Sequence, residues 1–471
     1  MSAPTINQAV AAASVQELRD GLHGTVIAPG DSTYDEARQP WNAMVDKRPA
    51  LIARCADAGD VATAIAFAGR HGLEIGVKGG GHSIVGQAVP DGGLMIDLAP
   101  MGSVRVDPEQ RLAYVGGGAL LGDLDLAAEP HGLATTAGNV SHTGVGGLTL
   151  GGGMGWLARQ FGLSCDNVTA FEVVTADGSR LTASADENAE LYWGLRGGGG
   201  NFGVVTQFTF RLHPIGGQVL SVDFFYPPEA GPEVLRTLRD FAQSAPPQAN
   251  PTGWVGTAAE WPFLAPELHG TSLVNAGYVW IGDPDKGRSL LGPFRGVATP
   301  VAEVAVASTY VQLQASSDEP TRRGMRRYWK DHYLRELTDE AIEAVLARGG
   351  PAGDGEIQAN ASLLGMGGAI AQVGPGESAF SLRDAAFEFI TSAGWEDPAE
   401  DEMRMAACRR YAAALEPFSS GTYVNALSDE GEAGVRLAYP PETLARLTAL
   451  KDRYDPDNVF HLNHNIRPSR H

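Results

Sequence analysis

The sequence predicts an α+β protein of more than one domain, and three observations predict it. A short apolar strand at 51–55, apolar residues at helical spacing over 60–70 and a second strand at 74–77 follow in the order of a β-α-β unit. Sixty glycines, well above ordinary usage, cluster mainly between 78 and 205, without a repeat period. Beyond about Gly216 the glycine runs stop, and alternating, aromatic-rich and amphipathic stretches predict an antiparallel sheet with helices.

The elements can be justified in order. Leu51 to Cys55 is a run of strand formers, and Asp60 to Arg70 places Val61, Ile65 and Ala68 on one helical face that Gly72 terminates. The crossover must be right-handed, and it delivers the glycine loop after Val77 at the carboxyl end of a strand. Further strands are predicted at 94–98 and 112–115, a helix of about ten residues after Ala119, a strand at 171–175, a helix around 187–195 and a long strand at 204–212. In the later half, 220–225 and 278–281 predict strands, whereas 334–346 and 400–415 carry amphipathic helical patterns. The basic run from Arg322 to Lys330 is expected to start a helix near the substrate region.

Composition excludes several function classes. At 471 residues the chain is too long for one ordinary domain, and its 43% hydrophobic residues suffice to fill sizeable cores. A net charge of −21 is unsuited to a nucleic-acid partner, which demands clustered Lys and Arg. No apolar run approaches the roughly 18 residues of a membrane span. The N-terminal residues lack a secretory pattern, and the three cysteines, Cys55, Cys165 and Cys408, are odd in number and widely separated, so a cytoplasmic protein with reduced thiols is expected. The eleven histidines show no metal-ligand pairing, and no metal is expected.

Glycine-rich loops invite a nucleotide reading. Gly144-Val-Gly-Gly-Leu-Thr lacks the third glycine of the Rossmann fingerprint, and Gly79-Gly-Gly-His places a bulky ring inside the turn. No Gly-Lys-Ser/Thr stands in a glycine-rich frame, which excludes a P-loop. Four segments remain: Val77-Lys-Gly-Gly-Gly-His-Ser-Ile-Val-Gly86; Gly138-Asn-Val-Ser-His-Thr-Gly-Val-Gly-Gly-Leu-Thr-Leu-Gly-Gly-Gly-Met-Gly-Trp156; Leu195-Arg-Gly-Gly-Gly-Gly-Asn-Phe-Gly-Val-Val205; and Tyr454-Asp-Pro-Asp-Asn-Val-Phe-His-Leu-Asn-His-Asn-Ile466. In kind and order they resemble the motifs of the vanillyl-alcohol-oxidase/berberine-bridge-enzyme superfamily of FAD-linked oxidases, and the resemblance spans essentially the whole chain.

The resemblance implies a PCMH-type FAD-binding domain of two subdomains over 1–216, with its core from about 46. It implies a substrate-binding α+β domain over 217–418 and a C-terminal berberine-bridge-like segment over 419–471 that returns to the flavin. It implies FAD bonded covalently through His82. Gly79, Gly80, Gly81, Ser83 and Gln87 would surround the cofactor from the first segment, and Gly138, Ser141, His142, Thr143, Gly144, Gly147, Leu148, Gly152, Gly153 and Trp156 from the second. Val205, Asn463 and Asn465 complete the expected cofactor contacts. A second cysteinyl link, present in many relatives, is not expected, because Val140 stands at its position and Cys165 falls out of register.

The activity implied is an oxidase that takes a hydride from a small organic or secondary-metabolite substrate and returns electrons to dioxygen as hydrogen peroxide. The family's Tyr-x-Asn-Tyr base reads Tyr423-Val-Asn-Ala426 here, so the titrating tyrosine is missing. His464, His142, Tyr423 and Tyr328 stay open as candidates for the base. Two alternatives also stay open. Thr143 and Leu148 fit the dioxygen pocket of a related branch that oxygenates polyketide-like substrates through flavin N5. Ala426 leaves room for a flavin-carrying binding protein without turnover.

Overall fold

The structure, a computed structural model, describes residues 12–350 and 357–470. Its first sheet has four strands in the order Thr25–Ile27, Leu51–Arg54, Leu94–Asp97, Ile75–Lys78, the first pair antiparallel and the others parallel. Helix Ala58–His71 connects Leu51–Arg54 to Ile75–Lys78. It begins where the Asp57 carboxylate accepts the Gly59 and Asp60 N–H groups, and it stops at Gly72, whose φ of 62° suits a residue without Cβ. Its buried stripe, Val61, Ala64, Ile65 and Ala68, packs against the sheet. The two strands of the predicted β-α-β unit are not neighbours. Leu94–Asp97, buried along its whole length, lies between them, with Leu94 opposite both Leu51 and Ile75.

The second sheet is antiparallel and runs Val104–Asp107, Leu112–Gly116, Val204–Arg211, Val168–Val174, Arg180–Ser184. Phe171, Phe208 and Phe210 are buried on its core face and meet edge-on or stacked. The third sheet has eight antiparallel strands in the order Ala302–Thr309, Gln218–Tyr226, Ser272–Ile281, Ala249–Thr257, Asn360–Gly365, Phe387–Trp395, Arg326–Leu334, Ser419–Gly421. Helices Gly231–Ser244, Asp339–Ala347 and Asp401–Leu415 cover one face of it, with Leu235, Leu238, Ile342 and Tyr411 in one shared core. The protein is therefore a mixed helix-and-sheet molecule, as its sequence predicts.

Two expectations need correction. The run from Arg322 to Lys330 does not open a helix; Arg326–Leu334 is an inner strand of the eight-stranded sheet. Its Trp329, Asp331 and Tyr333 alternate with Tyr328, Lys330 and His332, a period of two that outweighs the basic composition. Ser419–Gly421, assigned by sequence to the returning C-terminal segment, is instead the edge strand of this same sheet. No helix among the described residues is long and apolar enough to cross a membrane.

After the edge strand the chain turns back through helix Pro441–Tyr454, and a buried ion pair fixes its ending. Lys451 Nζ lies 2.7 Å from Asp455 Oδ2, both side chains have 0% exposure, and the ammonium also donates to the Asn201 and Phe460 carbonyls. Asp455 in turn accepts the Val459 and Phe460 N–H groups, so the pair clamps the tail to the Gly199–Asn201 turn. Removing one member leaves a buried, uncompensated charge. Lys451→Met is expected to lower the unfolding free energy by about 3–5 kcal/mol in urea titration. Arg446→Ala, which opens the half-exposed pair with Glu190, should cost less than about 1 kcal/mol.

Candidate active site

Three glycine segments converge on one cavity of about 510 Å³, and the eight-stranded sheet closes its far side. The first loop follows strand Ile75–Lys78, and the second runs into the short helix Val145–Leu150. They touch backbone to backbone: a Cβ on Gly80 would stand 2.2 Å from the Gly144 nitrogen, and one on Gly144 equally close to the Gly80 nitrogen. The third segment, 199–205, and the tail residues Phe460, Leu462, Asn463 and His464 form the remaining wall.

His82 stands where the first two loops meet. Its Nε2 lies 2.7 Å from His142 Nδ1, and its Nδ1 lies 3.3 Å from the Thr143 hydroxyl. Trp41 stacks on it at 4.6 Å between centroids and 16° between planes, and the Arg327 guanidinium lies over the same indole, 4.2 Å from its centroid. Burial, then the charges of His142, Arg323 and Arg327, pull the His82 pKa down to about 2, so the ring is neutral. A strap from 315 to 327 closes over this corner. Asp318 accepts from the Ser141 N–H and hydroxyl, the Thr321 carbonyl accepts from Trp41 Nε1, and Arg323 donates to the Gly80 carbonyl.

The opposite wall belongs to the sheet. Glu388 pairs in register with Tyr333 on one side and Leu364 on the other, so all three project from the same face. Glu388 is 1% exposed, and its Oε1 has no hydrogen-bond partner. Burial, reinforced by Asp331, pushes its pKa up to about 8. Asp331, pushed up to about 7 mainly by burial, accepts from the Thr422 hydroxyl and the Tyr423 N–H and thereby anchors the Tyr423–Ala426 turn. Glu388 is the single carboxyl lining the cavity among the described residues; Trp329, Leu364, Ile390, Val424 and Ala426 make the surface around it apolar.

The candidate base residues fall into different places. Tyr328 is absent from the cavity wall, because strand alternation turns it toward Asp429 and Arg409, to which its hydroxyl is bonded. Tyr423 lines the cavity, but its hydroxyl accepts the Gly153 N–H and the Asn425 amide, and burial raises its pKa far above neutrality. His464 also lines the cavity and is pulled down to about 4 by burial. The Gln87 amide nitrogen is 3.3 Å from its Nδ1; as a donor it leaves the His464 proton on Nε2. His142 is engaged with His82.

Of the expected cofactor contacts, Gly79, Gly80, Gly81, Ser83, Gln87, Gly138, Thr143, Gly144, Gly147, Leu148, Val205 and Asn463 line the cavity. Ser141, His142, Gly152, Gly153, Trp156 and Asn465 do not. Gly152 and Gly153 lie behind the wall, where Gly153 holds Tyr423, and Trp156 packs with Leu157 and Ile215. Val140 lines the cavity, whereas Cys165 is fully buried away from it. Trp41, Trp329, Leu364, Glu388 and Ile390 are among the lining residues that sequence reasoning missed. The period-two alternation through Phe387-Glu-Phe-Ile390 places a carboxyl on an otherwise apolar strand face, and that was the available signal.

Comparison with known proteins now decides the family. An FAD binding domain model matches residues 49–184, and a "Berberine and berberine like" model matches 422–467. (R)-6-hydroxynicotine oxidase of Paenarthrobacter nicotinovorans is 31% identical over 461 residues, covering 95% of this chain and 97% of its own. The chain belongs to the berberine-like family of FAD-linked oxidoreductases. The crystal structure of 6-hydroxy-D-nicotine oxidase from Arthrobacter nicotinovorans superposes with a TM-score of 0.83 at 30% identity, over 95% of this chain and 98% of that one. Glucooligosaccharide oxidase from Acremonium strictum, at 23% identity, shares the fold with a TM-score of 0.86 over 97% and 99%.

The residues of this berberine-like oxidoreductase fit FAD. The cavity wall among the described residues has no Lys or Arg, so a pyrophosphate there depends on the backbone N–H groups that the glycines leave uncovered. At Gly147 and Gly200 the position of a Cβ is open space, and the buried Asn139 and Asn463 carbonyl oxygens of the wall have no partner within the protein. One cluster of metal-ligand type exists among the described residues, His23, Asp57 and Asp60, but Asp60 and Asp57 spend their oxygens on the backbone N–H groups of His23, Gly24, Ala56 and Gly59. The glycine contact yields a direct check. Gly80→Ala should force the two loops apart, and the purified variant should carry severalfold less FAD per chain by absorbance than the wild type.

Proposed function

We propose that this protein is a flavin-dependent oxidase whose FAD is bonded to His82 and whose proton acceptor is Glu388. The observation that carries this reading is that His82 and Glu388 face one cavity from opposite walls, one at the glycine loops and one on the substrate sheet. When bound, FAD supplies hydride acceptance and return of electrons to dioxygen as hydrogen peroxide. The protein's part is to hold, orient and deprotonate. The glycine loops would hold the cofactor, and the His464 Nε2–H would donate to an acceptor on it. Leu364, Ile390 and Trp329 would exclude water around the substrate. Glu388, in its ionised form, would take the substrate's N–H or O–H proton as the hydride leaves.

The wall chemistry narrows the substrate. A surface with one carboxyl set among apolar and aromatic side chains matches a small, largely apolar molecule with a single basic or hydroxyl group. An oligosaccharide, with many hydroxyls to satisfy, would find too few partners there. The 6-hydroxynicotine in the relative's name is likewise small, with far fewer polar groups than an oligosaccharide. Dioxygen is the proposed electron acceptor and the cytoplasm the proposed compartment. The oxygenase reading rests on Thr143 and Leu148, which both line the cavity, with the Thr143 hydroxyl 3.3 Å from His82 Nδ1; the family's oxidoreductase character removes the support for a carrier without turnover.

The tether is tested first. Acid-precipitated protein should stay yellow with flavin on the peptide containing His82, and His82→Ala should release its FAD into the supernatant. Colourless wild-type precipitate would refute the linkage. The base is tested by anaerobic bleaching with a panel of small amines and alcohols. For a substrate so found, reduction should accelerate with rising pH through about 8, because Glu388 must lose its proton before it can accept one. Glu388→Gln should slow reduction by roughly a hundredfold and abolish that rise; an unchanged pH profile would assign the base elsewhere.

A further inference from the structure

Two imidazoles are in direct contact at this half-buried corner, and the second does not line the cavity. Resting on the reading that His82 carries the flavin, we propose that His142 is the base that makes His82 able to form that bond. His82 has two ring nitrogens with different surroundings. Nε2 is 2.7 Å from His142 Nδ1, and Nδ1 faces the Thr143 hydroxyl at 3.3 Å on the cavity side. A hydroxyl that donates to Nδ1 selects the tautomer with its proton on Nε2, which then points at His142. With the proton on Nε2, the ring's lone pair lies on Nδ1, beside Thr143 of the cavity wall.

The geometry is held from every side. Trp41 fixes the plane of the His82 ring by stacking, and the Gly80–Gly144 contact fixes the separation of the loops that carry the two histidines. Asp318, bonded to Ser141 next in sequence, favours the protonated form of His142, while burial and the Arg323 and Arg327 charges oppose it. His142 Nε2 is buried without a partner. His142 thus accepts a proton transiently and does not keep it.

The covalent step balances as follows. A bond forms between His82 Nδ1 and the flavin 8α carbon, and one C–H bond at that carbon breaks. Alkylation at Nδ1 would leave His82 a buried cation, unless the Nε2 proton departs to His142 Nδ1 as the bond forms. The carbon is oxidised by two electrons, which pass through the flavin to dioxygen. The proton from carbon and the proton from Nε2 leave with them as hydrogen peroxide. No further reagent is needed.

The test reads attachment, not turnover. His142→Ala and His142→Asn are purified as full-length chains with the FAD they bind, and the share of flavin that resists acid extraction is followed in air. Both variants are expected to be yellow but largely extractable, with attachment slowed by roughly a hundredfold, and added imidazole should accelerate it in His142→Ala. Wild-type levels of covalent flavin in the earliest samples of either variant would overturn the proposal, as would extractable flavin in His142→Ala that imidazole leaves unattached. The wild type separates the two readings: flavin that it releases to acid would sink the tether at His82 itself, whereas firmly held flavin in wild type and variants alike would sink only the role of His142.

Discussion

Gly80 and Gly144 meet with no room for a side-chain carbon between them, and the cofactor end of this molecule depends on that contact. It brings a loop from a parallel sheet against a loop that leads into a helix beside an antiparallel one. The close approach sets His82 beside His142 and opens backbone N–H groups toward a single cavity. Any larger residue at either position would push apart not only two loops but also the tryptophan, the strap and the imidazoles built around them. Side chains can be exchanged around such a point; the point itself requires glycine on both sides.

The loss of the usual tyrosine at Ala426 becomes intelligible in the same frame. Ala426 still lines the cavity, and its carbonyl accepts from Trp329 Nε1, so the turn keeps its position without a titrating group. The one carboxyl of the cavity wall, Glu388, stands on strand Phe387–Trp395. Asp331 anchors the turn through Thr422 and Tyr423 and at the same time reinforces the burial that raises the Glu388 pKa, because two buried negative charges on adjacent strands repel. One residue therefore serves shape and proton affinity together.

Much of this was legible in the sequence. The glycine segments announce themselves by composition and order, and Asp57 and Gly72 mark both ends of the first helix. What could not be read was the spatial neighbourhood of the substrate sheet. Tyr328 and Trp329 are adjacent in sequence, but strand alternation sends one to an ion-pair cluster and the other to the cavity, and only the direction of the strand tells which. Glu388 stands in an apolar run without a motif, and its meaning comes from Tyr333 and Leu364, brought beside it by pairing across 55 and 24 residues of chain (388 − 333 and 388 − 364). The basic composition of Arg322 to Lys330 misled for a related reason, since Arg327 and Arg323 are used one at a time, over an indole and on a carbonyl.

Strand Arg326–Leu334 holds both ends of the site at once. Arg327 near its start braces Trp41 over His82, and Tyr333 near its finish stands beside Glu388. Six residues of extended chain span roughly 20 Å, and pairing with Phe387–Trp395 along the whole strand, joined by Ser419–Gly421 at its end, keeps that span from stretching. The strand thus works as a ruler between the His82 corner and Glu388. Trp329, between its two ends, with Ile390 and Leu364 on the neighbouring strands, can be exchanged without altering the interval. A lineage could in this way retune what the cavity admits while the spacing of its chemistry stays the same.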